Sequence, residues 1–203
     1  YNEEPCQSNG GRCWNDNQCL NDDYKSGECP TQSGSIKCCY SGPSDGCATS
    51  CGTKAKELAC DIQAHSSIYL LTVNPSGVDD GADAASNIRD TCNGCMAKRS
   101  SYSCSSGTAP GGYVCLSESV LGYILDVGNN AASPSNTVQV NSIAGACHST
   151  TSYHYRGTAV DFQVKASSPW ETYMNLCAAN GAVENLGPGD PGHSSHTHCA
   201  FSS

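Results

Sequence analysis

The sequence has little charge and no long hydrophobic stretch. Only 14% of its 203 residues are charged, and ten lysines and arginines face nineteen acidic residues, giving a formal net charge of −9. A protein that binds nucleic acid needs a basic patch to neutralise phosphates, so we expect neither DNA nor RNA as a partner. Apolar runs such as residues 67–73 are far shorter than the roughly 20 residues that cross a bilayer, so we expect no membrane span.

Cysteine, by contrast, is abundant. The chain has sixteen cysteines, an even number at a density close to that of disulfide-stabilised proteins. This predicts an oxidised protein of the extracellular space, and hence a secreted one. The hydrophobic fraction of 37% is enough for one domain with a core plus a small appendage. Zinc binding by the thiols is a weak competing interpretation, because the same setting favours disulfides.

The cysteine spacing changes near residue 40, and the turn-rich residues 41–46 follow. We therefore predict a cysteine-rich module at residues 1–41 and a larger domain at residues 44–203. The gaps between the module's six cysteines, which end in a Cys-Cys pair, resemble the β-defensin framework. That resemblance implies disulfides that join Cys6 to Cys38, Cys13 to Cys29 and Cys19 to Cys39.

The module carries three basic residues against six acidic ones, which weakens attraction to anionic bacterial membranes. We expect a targeting or stabilising module rather than a membrane-disrupting one. A disulfide-stapled cap with no ligand of its own explains the pattern equally well, because small secreted domains need such crosslinks to fold.

The larger domain mixes helical and strand patterns, which predicts an α+β fold. Three segments are predicted to be helical. Residues 80–98 have a helix-permissive composition, residues 117–128 have apolar residues at helical spacing, and residues 169–181 have proline early and glycine late. Alternation marks strands at residues 137–143, 158–164 and 196–201. We expect the second of the helices to pack on the sheet. A Cys177–Cys199 disulfide would tie the last helix to the last strand.

Histidine is scarce, with six residues in the chain, yet most of them lie near one aspartate or near the C-terminus. Alternation puts Asp161 on the face of its strand opposite to Val160, and it puts His196 and His198 on one face of the last strand. Neighbouring strands could thus present Asp161 and His198 to one point, with His154 joining from the preceding turn. Two imidazoles and one carboxylate, with a fourth position left for water, are the ligand set of a catalytic zinc site.

The pattern S-x-H-x-x-G-x-A-x-D at residues 152–161, followed by H-x-H at residues 196–198, is similar to the zinc signature of D-alanyl-D-alanine metallopeptidases. That family shares its fold with penicillin-insensitive murein endopeptidases and the hedgehog signalling domain. The resemblance spans about residues 113–203. It implies a small antiparallel sheet with packed helices, and a Zn²⁺ ion held by the motif positions His154, Asp161 and His198.

The sequence departs from the family pattern at two places. Carboxypeptidase relatives carry a glutamate as general base three residues before the last ligand, where this chain has Ser195. Murein endopeptidase relatives use histidines instead, so the resemblance nominates His193 as base and His196 as stabiliser of the oxyanion, with the roles exchangeable. Relatives also often carry an arginine before the first ligand, and here His148 or Arg156 could take its place.

The resemblance therefore implies a secreted zinc metallopeptidase that hydrolyses peptide bonds of bacterial peptidoglycan, for antibacterial defence or for digestion of bacteria. We expect it to act as a monomer on peptidoglycan peptides, with endopeptidase and carboxypeptidase action both open. One alternative is a non-catalytic protein in which zinc stabilises a surface that binds cell walls or glycans. A further alternative is an effector whose cysteine-rich module carries the activity.

Overall fold

The computed structural model describes residues 12–15, 24–25, 29, 36–39, 51–131 and 137–202. Its contacts divide the chain into two compact units, Tyr1–Ala48 and Thr49–Ser203.

The N-terminal unit contains a small antiparallel sheet. Three strands form it in the order β1 (Arg12–Asn15), β3 (Ile36–Cys39) and β2 (Tyr24–Lys25). Cys29 and Cys38 are buried and disulfide-bonded. The disulfide pairing expected from the β-defensin resemblance lies outside the described residues.

The C-terminal unit has the predicted α+β class. Its helices are α1 (Thr53–Ala64), α2 (Ala84–Cys92), α3 (Glu118–Ala131) and α4 (Trp170–Ala179). Its main sheet consists of β4 (Ile68–Leu70), β9 (Val138–Ser142), β10 (Ala159–Gln163), β11 (Glu184–Leu186) and β12 (His196–Ala200). Two small ribbons pair β5 (Ala97–Lys98) with β8 (Tyr113–Val114) and β6 (Ser103–Cys104) with β7 (Gly107–Thr108).

The main sheet has the strand order β11-β12-β10-β9-β4. Neighbouring strands are antiparallel, except that β4 runs parallel to β9. The three strands predicted from alternation are β9, β10 and β12. The predicted helix segments contain α2 and α4 and overlap α3, which continues three residues beyond its predicted end. Helix α1 was not predicted, because its buried positions, Ala55, Ala59 and Ile62, include two side chains too small to make a strong apolar stripe.

The core lies between the sheet and helices α3 and α4. On α3, the buried side chains include Val120, Leu121 and Ile124, whereas Leu125 is half-buried. The helix packs on the sheet, as predicted. Tyr123 meets Phe162 of β10 edge-on, with ring centroids 5.6 Å apart, an arrangement that aromatic rings favour. The Tyr123 hydroxyl donates a hydrogen bond of 3.0 Å to a carbonyl of α4, so its polar end is satisfied inside the core.

Disulfides join elements that are distant in sequence. The described pairs are Cys51–Cys115, Cys60–Cys92, Cys104–Cys147 and Cys177–Cys199. The last pair confirms the expected link between helix α4 and strand β12. In the described part of the chain, no helix is both long enough and apolar enough to cross a membrane.

Candidate metal centre

Strand register brings the first two site residues together. In the antiparallel pairing of β10 with β12, Asp161 lies directly opposite His198. His198 Nδ1 is 2.8 Å from Asp161 Oδ1. The third residue, His154, belongs to a single 3₁₀ turn over Tyr153–Arg156 that precedes β10. The predicted convergence of His154, Asp161 and His198 is therefore present in the structure.

The other fixed positions of the motif shape the turn that carries His154. The Ser152 hydroxyl accepts a hydrogen bond from the backbone N–H of His154 and so caps the turn. Gly157 ends the turn in a left-handed conformation with φ 72°. A Cβ at this position would collide with the carbonyl group of Cys115, so glycine is required both by the backbone angle and by close packing.

A hydrogen bond outside the cluster fixes which ring nitrogen of His154 carries a proton. His154 Nδ1 lies 2.6 Å from the Ile143 carbonyl oxygen, which can only accept, so Nδ1 is the donor. His154 Nε2 then faces inward, 3.2 Å from Asp161 Oδ1 and 3.2 Å from His198 Nδ1. His198 has a carboxylate oxygen near each ring nitrogen, with Asp161 Oδ1 2.8 Å from Nδ1 and a Glu184 oxygen 3.3 Å from Nε2. Burial lowers the pKa of His198, but hydrogen bonds and charge from Asp161 and Glu184 outweigh burial and raise it.

Three potential ligand atoms, His154 Nε2, His198 Nδ1 and Asp161 Oδ1, therefore face one point, where a proton or a metal ion must lie between them. Asp161 is almost completely buried, and its second oxygen accepts a hydrogen bond of 3.0 Å from the Ser142 hydroxyl. Burial alone would raise the pKa of Asp161, but when the inner nitrogens of His154 and His198 carry protons, their charge and hydrogen bonds hold the pKa well below its usual range. A buried carboxylate that faces two imidazole lone pairs is stabilised by a cation.

The spacing of these donors fits a zinc ion. Ligand atoms about 2.0–2.2 Å from a tetrahedral zinc ion lie about 3.3–3.6 Å from one another. The two separations of 3.2 Å agree with this geometry, and the 2.8 Å separation would need to widen by about half an ångström. Each donor also has an outer partner that orients it, as metal ligands in proteins usually do.

His148 offers another nitrogen close to the cluster. One of its ring nitrogens lies within 4.8 Å of ligand atoms of His154 and Asp161. Its ring stacks on that of His154, with 3.9 Å between centroids and 8° between planes. An imidazole lone pair lies in the ring plane, so an ion in the plane of His154 is well outside the parallel plane of His148. We therefore assign His148 to the wall of the site and not to the ligand set.

Buried amides hold the loop that supplies the outer partners of His154 and His148. Asn87 Oδ1 accepts a hydrogen bond of 2.8 Å from the backbone of Ala144, and Asn74 Oδ1 accepts one of 3.0 Å from Ala146. Ala146 has a positive φ of 65°, a conformation that is unfavourable for alanine and that these bonds help to maintain. The loop thereby places the Ile143 carbonyl oxygen beside His154.

A cleft of about 530 Å³ opens over the three donors. His193 and His196 both line it, with 4.8 Å between their ring centroids, and the His193 ring is 6.1 Å from that of His198. His193 Nδ1 donates to the Pro191 carbonyl oxygen over 2.9 Å, which leaves Nε2 as an acceptor. Burial is the main cause of a lowered pKa at His196, so its ring is neutral near pH 7.

The two candidates for the missing arginine also line this cleft. The guanidinium of Arg156 donates to the Thr151 carbonyl oxygen and lies over the ring of Tyr153, 4.8 Å from its centroid. Burial, followed by the charge of His154, lowers the pKa of His148 to about 3, so His148 is neutral. Arg156 is therefore the one of the two that supplies positive charge to the cleft.

Several residues of the site were not found from the sequence. Glu184 lies on the three-residue strand β11, which is too short to show an alternating pattern. Ser142 occupies a predicted strand, and its register opposite Asp161 was the only signal that could have identified it. Asn74 and Asn87 act through backbone contacts more than 50 residues away in sequence, which no local pattern indicates.

Comparison with known proteins gives a match only for the N-terminal cysteine-rich module. Residues 1–44 match a family model described as a Scoloptoxin-like N-terminal domain. The match supports a small disulfide-rich module and gives it a different family description from the β-defensin framework. No peptidase family model matches the chain. No curated protein and no solved structure matches it either.

Proposed function

We propose that the protein is a secreted zinc-dependent peptidase that hydrolyses peptide bonds of bacterial peptidoglycan. The observation that carries the proposal is the convergence of three potential ligand atoms, His154 Nε2, Asp161 Oδ1 and His198 Nδ1, at the floor of an open cleft. Structural zinc sites are usually closed by four protein ligands, whereas three ligands beneath a cleft are typical of catalytic ones. The signature at residues 152–161 and 196–198 supplies the substrate class.

The chemistry divides between the ion and the chain. A bound zinc ion supplies Lewis-acid polarisation of the substrate carbonyl and lowers the pKa of water from 15.7 to about 7. His193 Nε2 takes the proton of the attacking water and returns it to the leaving amine. His196 donates a hydrogen bond to the oxygen on which negative charge develops. Glu184 and Ser142 hold His198 and Asp161 in the orientation that this chemistry requires.

The cysteine content supports a secreted protein. Described cysteines of both units are disulfide-bonded, and such bonds persist in oxidising compartments. The N-terminal module would anchor or stabilise the enzyme at cell walls, and it is not needed for the bond-breaking step. The proposal takes the protein to act as a monomer.

Purified full-length protein tests the proposal in two measurements. Elemental analysis is expected to give one zinc per chain. Crosslinked bacterial wall fragments are then incubated with the protein, with and without a chelator, and new amino termini are counted. Release that the chelator abolishes and added zinc restores supports the peptidase. Absence of zinc from protein that was never exposed to chelator contradicts it.

A non-catalytic zinc-stabilised wall-binding protein is the second candidate. It is favoured by Ser195, which stands where carboxypeptidase relatives have their catalytic glutamate, so that the base must be a histidine. This candidate predicts that zinc-loaded protein sediments with wall fragments but releases no new amino termini. The same incubation therefore separates the two functions.

A further inference from the structure

The cleft is continued by a second cavity on the other side of the candidate ligands. The first cavity lies over strands β11 and β12, where Glu184 and Leu186 line it. The second cavity, of about 490 Å³, lies over β10 and β9, where Gln163 and Asn141 line it. Asp161 lines both cavities. Together they form a groove that crosses the sheet strands, with the ligand cluster near its middle.

Both cavities are open to solvent, and they share Asp161 in their lining. Each cavity has a volume within the range of about 300–1,000 Å³ that takes a drug-sized ligand, which is larger than a single amino-acid residue requires. A peptidase that removes one terminal residue needs a closed end or a charged anchor to stop the chain at its terminus. The only lysine or arginine among the described residues that line the two cavities is Arg156 in the first, so nothing charged in this way would stop a chain that continues past the ligand cluster into the second.

The second cavity differs in charge from the first. Arg156 and Glu184 line the first, whereas no lysine or arginine is among the residues that line the second in the described part of the chain. Apart from Asp161, which belongs to the ligand cluster, its polar groups are neutral, and they include Ser76, Tyr102 and Asn141. A terminal carboxylate would find no cation there, while peptide amides would find hydroxyl and carboxamide partners.

These neutral groups are held in place before any ligand binds. The Asn141 side chain donates to Gln163 Oε1 over 3.2 Å, and the Gln163 side chain donates to the Ser195 carbonyl oxygen over 2.9 Å. On the opposite wall the hydroxyls of Ser76 and Tyr102 are 2.7 Å apart. The Cys104–Cys147 disulfide forms part of the same wall. A rigid polar surface binds a ligand with little ordering cost.

We infer that the second cavity is a substrate subsite for an uncharged peptide segment, so that a crosslinked stem peptide crosses the ligand cluster and is cut internally. The inference rests on the proposed function for the cutting step, but the binding of the segment does not require catalysis. It assigns endopeptidase action, which the sequence left open alongside carboxypeptidase action.

The inference is tested with a variant that places a bulky side chain at the rim of the second cavity. Ser76 is exposed, so Ser76→Trp adds bulk at the mouth without disturbing the core. Ser66→Trp is the matched control, because Ser66 is equally exposed and lines neither cavity. The probe is a synthetic, sugar-free stem-peptide dimer joined by its crosslink, prepared with free and with amidated C-termini.

For the zinc-loaded wild type, amidation is expected to change kcat/KM for cleavage of the crosslink by less than about threefold, because no terminal carboxylate is gripped. Ser76→Trp is expected to lower kcat/KM for the dimer at least about tenfold, mainly through KM, and Ser66→Trp less than about twofold. Cleavage that requires a free carboxylate, or equal rates for Ser76→Trp and Ser66→Trp, overturns the inference.

A binding measurement keeps the subsite testable if no variant cleaves the dimer. Calorimetric titration of the metal-depleted proteins with the amidated dimer is expected to give an affinity at least about tenfold weaker for Ser76→Trp than for Ser66→Trp. If that difference is found without any cleavage, the subsite stands and the proposed peptidase fails. Equal affinities of the two variants overturn the subsite whatever the activity.

Discussion

Strands β10 and β12 present one face to the core and the other to the cleft, and different physics stabilises the two faces. On the core face, Val160 and Phe162 are fully buried among apolar and aromatic neighbours. On the cleft face, Asp161 and His198 are nearly as buried but make polar contacts. The apolar side chains are buried by contacts within the chain itself. The polar cluster, by contrast, needs a bound cation to balance its electron-pair donors. The core face should therefore govern folding, and the cleft face should govern metal binding and activity.

The largest expected difference between the two faces comes from replacing one of the candidate metal ligands. His154→Ala is expected to abolish zinc retention and to lower peptide hydrolysis at least about 10³-fold, because the activation of water depends on the ion. His65→Ala is the matched control, since His65 bonds to Asn129 and lines neither cavity. Zinc content and the release of amino termini are the measurements. One zinc per chain in His154→Ala would contradict the ligand assignment.

The opposite face is tested by truncating its central aromatic side chain. Phe162→Ala is expected to lower the free energy of unfolding by about 3–5 kcal/mol, because the cavity it leaves among Tyr123 and Tyr173 cannot collapse fully. Denaturant titration of the metal-depleted protein measures this loss. If any folded protein remains, its zinc stoichiometry should be unchanged. A loss below about 1 kcal/mol would show that Phe162 does not carry the core.

The disulfide between α4 and β12 lies on the core face, so its removal should affect stability more than activity. Replacing both Cys177 and Cys199 by alanine is expected to cost about 3 kcal/mol of unfolding free energy, as the sequence separation is 22 residues. The activity of the folded fraction at low temperature should stay close to that of the wild type, which the peptide assay measures. Loss of zinc from this double variant would link the two faces more tightly than proposed.

The smallest expected effect concerns a residue that only orients a ligand. Ser142→Ala removes the hydrogen bond to Asp161 Oδ2 and is expected to weaken zinc affinity by about 10–100-fold. Ser142→Thr, which keeps the hydroxyl, should recover most of this loss. Competition with a chelator of known affinity measures both variants. Equal loss in Ser142→Thr and Ser142→Ala would indicate that packing, and not the hydrogen bond, matters at this position.

Much of the C-terminal fold could be predicted because its elements carry strong periodic patterns. Helix α3 and strands β9, β10 and β12 bury regular apolar positions, and such positions are visible in sequence. Helix α1 and strand β4 were missed, since the first buries small side chains and the second is only three residues long. The parallel pairing of β4 with β9 joins residues about 70 apart, and no local pattern encodes such a contact.

The sequence by itself determined which side chains were available for a metal centre. The alternation of apolar and polar residues predicts that Asp161 and His198 lie on the faces of their strands opposite to the apolar side chains. The spacing of His154, Gly157 and Asp161 predicts a turn between the first two ligands. Only the tertiary structure decided how each imidazole ring is oriented, because the Ile143 carbonyl oxygen and the Glu184 carboxylate reach the rings from segments distant in sequence. It also decided that the cleft continues into a neutral second cavity. Both are properties of surfaces assembled from distant segments, which local periodicity does not describe.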